Sequence, residues 1–126
     1  HLPEKDGIFA GLLVAEMMAA SGKSLPELSD NLFREYGMKV GGQRNIPLTA
    51  EREKNLRKLI RRPPAQLGER RVLAYEVLDG IKLDFDHDDW VLLRLSGTEP
   101  LIRCYAEAES KKELDDLMKD GLEKLS

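Results

Sequence analysis

From residue 70 onward the apolar side chains recur at every second position, and no other feature limits the possible folds as strongly. RVLAYEVLDG (71–80), IKLDFDHDD (81–89), WVLLRLSG (90–97) and LIRCYAEAE (101–109) follow one another with short breaks. A period of two is the period of a β-strand with one covered face. Asp79-Gly80 is a hairpin signal, and His87-Asp88-Asp89 and Ser96 to Pro100 mark two further turns. Ser110 then caps a helix with Leu114, Leu117, Met118 and Leu122 on one stripe. The pattern predicts four strands in three consecutive hairpins, flanked by helices that cover one face of the sheet. That is an α+β domain.

Upstream the period is helical. Thr49 caps a predicted helix over 50–61, with Leu56, Leu59 and Ile60 inward and Pro63-Pro64 as terminator. Its outer face carries Arg52, Lys54, Arg57, Lys58, Arg61 and Arg62. The segment 38–48 (MKVGGQRNIPL) reads as an extended linker broken at Gly41-Gly42. Before it, Ser24 and Glu27 form a capping-box pattern, and Leu25, Leu28, Leu32, Phe33 and Tyr36 supply a helical stripe that Gly37 closes. Residues 7–20 (GIFAGLLVAEMMAA) carry one charge, Glu16, and Asp6 is placed to cap them. A helix apolar on nearly all sides has to be enclosed. This one falls short of the roughly 20 residues that span a bilayer, so it reads as a core helix whose packing partners lie mostly upstream; packing on the next helix is the alternative. The expected organisation is the end of one domain over 1–37, a linker over 38–48 and a second domain over 49–126.

The formal charge of −3 gives no bulk attraction to nucleic acid or anionic lipid, so any anion site is local. With 41% hydrophobic and 34% charged residues among 126, the chain falls in the globular class. Cys104 is the only cysteine, which excludes an intrachain disulfide and points to a reducing, cytoplasmic setting. No signal peptide is visible, and a chain that begins at His1 reads as a fragment, a processed product or a chain with trimmed ends.

The sharpest chemistry lies in Arg94-Leu-Ser-Gly-Thr-Glu-Pro-Leu-Ile-Arg103. Strand alternation points Val91, Leu93 and Leu95 one way and Leu92, Arg94 and Ser96 the other. A turn centred on Gly97-Thr98-Glu99 brings Arg103 next to Arg94. The expected product is a hairpin tip with two guanidinium groups at its base, the hydroxyls of Ser96 and Thr98 in its bend, and amides free to form an anion nest. Gly97 is expected to take a positive φ or to let a ligand approach the backbone. Planar, charged guanidinium forks match the oxygens of a phosphate, and charge-assisted hydrogen bonds are about twice as strong as neutral ones. A capped tight turn with surface arginines is the alternative. Glu99 opposes an anion unless it turns away or pairs with an arginine.

The same stretch resembles the phosphate-binding loop in the C-terminal domain of the α-D-phosphohexomutases, and the resemblance extends along the chain. His1-Leu-Pro-Glu-Lys-Asp-Gly7 is similar to the segment after the sugar-recognition loop of that family's third domain, and the apolar helix fits that domain's closing helix. The resemblance implies a C-terminal four-stranded antiparallel sheet with helices on one face, TATA-box-binding-protein-like, preceded by two helices from an α/β domain. It implies that Arg94, Ser96, Gly97, Thr98 and Arg103 bind the non-transferred phosphate of a phosphohexose, a glucose or mannose 1- or 6-phosphate. It aligns Lys5 with an active-site lysine, with His1 nearby; a solvated terminal segment is the alternative for both. The family's activity is isomerisation through a bisphosphorylated intermediate, with a phosphoserine and Mg²⁺. No serine in that context, no Asp-rich metal loop and no sugar loop occurs here. The implied Mg²⁺ therefore belongs to other domains, no catalytic residue is assigned to this chain, and the chain alone is expected to be inactive. Because the sugar turns over between transfers, a clamp that grips phosphate without touching the sugar serves both orientations.

The remaining groups read more plainly. Asp84, Asp86, Asp88 and Asp89 lack the spacing of a calcium loop and read as a solvated hairpin end. His87 is expected to be exposed, Cys104 to pack on the strand face opposite Arg103, and Trp90 to anchor the core between sheet and helices. A stand-alone module contacting RNA through the basic helix 50–62 is the alternative function. Glu51 and Glu53 interrupt that run and no aromatics interleave with it, which favours an ordinary solvated face and no nucleic-acid partner. No membrane partner is expected, while the missing domains are, and a helix 7–20 without its partners is expected to drive self-association.

Overall fold

Strand β1 (Val40–Pro47) runs along one edge of a five-stranded sheet whose order is β1-β7-β6-β5-β4, with every neighbour antiparallel. The computed structural model describes residues 6–126. The chain divides between Met38 and Lys39 into two compact units. In the second unit β4 (Ala74–Glu76), β5 (Ile81–Asp84), β6 (Trp90–Leu95) and β7 (Leu101–Ala108) form three successive hairpins. Helices α3 (Ala50–Arg61) and α4 (Lys111–Glu123) complete the unit.

The strand count corrects the expectation of four, and the missing strand is the segment read as a linker over 38–48. β1 pairs along its whole length with β7, from Val40 opposite Ala108 to Pro47 opposite Leu101. The Gly41-Gly42 pair is a seat rather than a break. A Cβ on Gly42 would lie 2.9 Å from Met118 Cε and 3.1 Å from Leu114 Cδ2, so a larger residue there would push on the tips of two α4 side chains that pack against the strand. A second correction concerns 70–79. Arg70–Arg71 pairs with Gln66–Leu67 in a separate ribbon (β2 and β3), and only Ala74–Glu76 joins the sheet.

Alternation works as read on the long strands. Ile81, Leu83, Val91, Leu93, Ile102, Cys104 and Ala106 are buried on one face, against Leu56 of α3 and Leu114, Leu117 and Met118 of α4. The helix ends follow their sequence signals. Thr49 Oγ1 accepts from the Arg52 amide at 3.2 Å, and Ser110 Oγ accepts from the Glu113 amide at 3.3 Å. The opposite face of the sheet has no helix from this unit. It carries Gln43, Asn45, Lys82, Trp90, Leu92, Arg94, Arg103, Tyr105 and Glu107.

Trp90 is therefore not in the core between sheet and helices. It lies half-buried on the open face, donates from Nε1 to Glu107 Oε2 at 3.0 Å, and has Lys82 Nζ 5.4 Å from its ring centre. Its one polar atom needs a partner, and the core face offers none. His87 is exposed and Cys104 is fully buried, both as expected. Asp89 departs from the solvated reading. It is buried and bridges Lys39 Nζ and Arg70 Nη1, each at 3.0 Å.

The first unit holds α1 (Gly7–Ser21) and α2 (Leu25–Tyr36), separated by a bend of 86°. Asp6 Oδ1 caps α1 by accepting from the Phe9 amide at 2.9 Å, and Glu27 Oε2 accepts from the Ser24 amide at 2.8 Å. Neither helix has a buried residue: Ile8, Phe9, Leu12, Leu13 and Met17 of α1 stand exposed. Packing of α1 on α2 thus does not enclose it. Among the described residues, no single helix is long and apolar enough to cross a membrane. His1 and Lys5 lie outside the described residues.

Candidate functional site

The β6–β7 hairpin gathers the residues singled out in the sequence. Its register places Arg94 directly opposite Arg103, and Leu95 opposite Ile102, so both guanidinium groups rise from the open face at one cross-strand position. The Ser96 amide donates to the Leu101 carbonyl at 2.9 Å and closes the hairpin. The Leu101 amide donates to the Glu99 carbonyl at 2.8 Å, and the Leu48 amide to the Pro100 carbonyl at 2.9 Å. Pro100 thus ties the bend to the end of β1. Among the described residues, the amides of Gly97, Thr98 and Glu99 donate to no protein acceptor.

Of the two roles read for Gly97, the positive φ is not taken. Positive φ occurs at Gly22, Gly37, Gly68 and Gly80, not at Gly97. A Cβ at Gly97 would meet nothing within 4 Å, so what glycine supplies there is open space above the backbone. Thr98 is exposed. Two polar atoms at the base are buried without a hydrogen-bond partner, Ser96 Oγ and Arg103 Nε. Buried donors without partners are rare in folded proteins, and each calls for a specific reason.

Three residues that strand reasoning passed over complete the arrangement. Tyr105 lies two positions after Arg103 on the same face, and the Arg94 guanidinium carbon is 5.9 Å from its ring centre. Hydrogen bonding with Arg103 is the main influence holding the Tyr105 phenol below its usual pKa; burial opposes it and Arg94 adds to it. Asp79, from the β4–β5 turn, accepts through Oδ2 from Arg94 Nη1, and this contact is the chief cause of the raised Arg94 pKa. Tyr105 is the corresponding chief influence on Arg103, ahead of Glu99, although Glu99 Oε2 makes the direct contact at 2.7 Å. Glu99 is largely in water, where its field is screened. Asn45 stands opposite Arg103 on β1, with Gln43 Nε2 donating to its Oδ1 at 2.8 Å. Alternation from Arg103 would have found Tyr105; Asp79 was legible only as a turn former, and Asn45 was hidden with β1.

The α3 face offers weaker chemistry. Arg57 is taken up by Glu53, Nη2 to Oε1 at 2.7 Å, and Arg52 donates to the Pro47 carbonyl at 2.9 Å.

Residues 49–124 match the family described as phosphoglucomutase/phosphomannomutase, C-terminal domain, and residues 1–36 match that family's alpha/beta/alpha domain III. The chain belongs to the phosphoglucomutase/phosphomannomutase family. Among the curated family proteins it resembles are a phosphoglucomutase/phosphomannomutase of Thermococcus kodakarensis, 35% identical over 96% of this chain and 24% of the relative. A phosphoglucosamine mutase of Methanococcus maripaludis is 32% identical over 93% of this chain and 24% of its own length. One of Methanocaldococcus jannaschii is 31% identical over 93% and 24%. The chain spans about a quarter of the length of these phosphohexomutase relatives.

The phosphohexomutases' implied Mg²⁺ does not fit the residues described here. No group of three or more potential ligands occurs among them. Asp89 is engaged by Lys39 and Arg70, and Asp84 Oδ1 by Lys82 Nζ at 2.5 Å.

Proposed function

We propose that this chain is the C-terminal part of a phosphohexomutase-type isomerase, and that the tip of its β6–β7 hairpin holds the non-transferred phosphate of a phosphohexose. The observation that carries the reading is the Arg94–Arg103 register pair, with buried and unpartnered Ser96 Oγ and Arg103 Nε beneath an open bend. Two guanidinium forks, the hydroxyls of Ser96 and Thr98 and the amides over Gly97 supply donors around a tetrahedral anion. None of these groups is specific for a sugar. The same site therefore serves a phosphate at either the 1- or the 6-position while the sugar turns over between transfers. Glucose, mannose and glucosamine phosphates are all compatible with it. We place the phosphoserine, the Mg²⁺ and the sugar-recognising groups in the rest of the enzyme, and expect this chain alone to bind phosphosugars weakly and to catalyse nothing. On the same reading α1 is covered in the whole enzyme by further parts of domain III, and the sheet under α3 and α4 is TATA-box-binding-protein-like with one strand added. No observation favours an RNA-contacting module.

The test is a titration of the chain with glucose 1-phosphate and with inorganic phosphate, followed by amide shifts. Movement centred on residues 94–103 and shared by both ligands is the expected result. An unmoved loop at millimolar ligand would sink the assignment.

A further inference from the structure

The proposed phosphate site already contains two anions. Arg94 Nη1 donates to Asp79 Oδ2, and Arg103 Nη2 donates to Glu99 Oε2 at 2.7 Å. Two guanidinium and two carboxylate charges cancel, so this arrangement as it stands offers an incoming dianion no net Coulomb attraction. Attraction returns when the carboxylates leave.

The geometry shows which partners can move. Asp79 and Glu99 side chains are 66% and 54% exposed, whereas Arg94 and Arg103 are 31% and 25% exposed. Tyr105 has its ring centre 5.9 Å from the Arg94 guanidinium carbon and follows Arg103 by two positions on the same face. A carboxylate that swings from an exposed ion pair into water loses little, because such pairs contribute little. It can also return quickly. Glu99 sits four residues before Arg103 in the same bend. Asp79 is held against Arg94 by its neighbour Gly80, whose φ is +100° and whose hypothetical Cβ would lie 2.7 Å from Arg94 Cβ and 2.2 Å from the Leu93 carbonyl oxygen. That close seat keeps the Asp79 carboxylate at a high effective concentration beside one guanidinium.

We propose that Asp79 and Glu99 are built-in competitors for the phosphate site: they occupy the forks of Arg94 and Arg103 when the site is free, and a phosphate monoester displaces them. The inference rests on the phosphate reading above and adds a control on retention. A site that must release its phosphate for the sugar to turn over benefits from carboxylates poised to recapture the arginines. They weaken holding without removing a donor.

The experiment is a titration with inorganic phosphate of the wild-type chain, Asp79→Asn, Glu99→Gln and the double variant, read by the amide shifts of residues 94–103. Each single variant is expected to bind phosphate about two- to fivefold more tightly, as loss of an exposed ion pair implies, with a larger gain in the double variant. Unchanged or weaker binding in the double variant overturns the inference and makes the carboxylates positioning groups, while leaving the phosphate site standing. No response in any of the four proteins overturns both readings. The wild type provides a second measurement that needs no variant. The carboxyl carbon resonances of Asp79 and Glu99 are expected to shift as phosphate fills the site, and static resonances at saturation would overturn the displacement.

Discussion

Arg94 and Arg103 occupy one cross-strand position of the β6–β7 ladder, two like charges directly opposite on the open face of the sheet. Like charges in that relationship work against strand pairing. Each has an acidic partner, Asp79 for Arg94 and Glu99 for Arg103, and the Tyr105 ring centre lies 5.9 Å from the Arg94 guanidinium carbon. A pair that the fold does not need, kept with buried unpartnered donors beside it, fits a ligand site better than it fits a stability device.

Arg94→Gln and Arg103→Gln are therefore expected to separate binding from folding. Each should weaken phosphate or glucose 1-phosphate binding more than tenfold, while the thermal midpoint stays level or rises. Amide-shift titration and a thermal melt of the same samples give the two readings. A large drop in the melting midpoint together with intact binding would reverse the roles assigned here.

Gly80 and Gly97 make a contrasting pair. Gly80 has φ +100° and no room for a Cβ beside the Leu93 carbonyl, so Gly80→Ala is expected to cost roughly 3 kcal/mol or more in urea unfolding. Gly97 has open space, and its φ is not left-handed, so Gly97→Ala is expected to stay within about 0.5 kcal/mol of wild type. If the space above Gly97 admits the phosphate, the alanine weakens binding all the same. Equal stability losses at the two positions would contradict this.

Much of the hairpin was legible beforehand because alternation needs only local information. It put Arg94 and Arg103 on one face and Cys104 on the other, and the Ser110 cap signal placed α4. β1 was illegible for a physical reason: its glycines read as breakers, and what makes it a strand is its pairing with β7, some 60 residues away in sequence, with Gly42 packed against Met118 and Leu114 of α4. The buried state of Asp89 depends on the same kind of distant contact, with Lys39 and Arg70, whereas the Gln66–Arg71 ribbon is a local pairing. A large aromatic ring favours the core, but alternation along β6 assigns Trp90 to the face of Arg94. Asp79 could not be seen as an arginine partner until the β4–β5 turn was seated next to β6.

Asp89 joins three separate segments, with Lys39 from just before β1 and Arg70 from the β2–β3 ribbon on its two oxygens. Removing the carboxylate leaves two cations facing each other around a buried position. Asp89→Ala is expected to destabilise the second unit by about 3 kcal/mol, the low end for a broken buried pair because both cations keep some contact with water. Asp89→Asn should recover part of the loss. Urea unfolding of the two variants measures both, and a loss confined to a few tenths would place the pair among ordinary surface contacts.

Cys104 supplies a pH signature of the core. Burial pushes its thiol from the ordinary 9.0 up to about 11, against a smaller opposing pull from Arg44. Below pH 9 both folded and unfolded chains hold the proton, and the thiol makes no pH-dependent contribution. Between about 9 and 11 the unfolded chain releases a proton that the folded chain keeps, so this contribution to stability falls as pH rises through that window. Tyr105, whose phenol is shifted down, pulls in the opposite direction, so the measurement has to be a difference between wild type and Cys104→Ala. The wild type is expected to lose more stability than the variant from pH 9 to 11, and its native thiol to react slowly with a disulfide reagent at pH 8 and at once in urea. A rapidly labelled native thiol would show that the face under α4 opens to water, and with it the packing that holds β6 and β7, and so Arg94 and Arg103, in register.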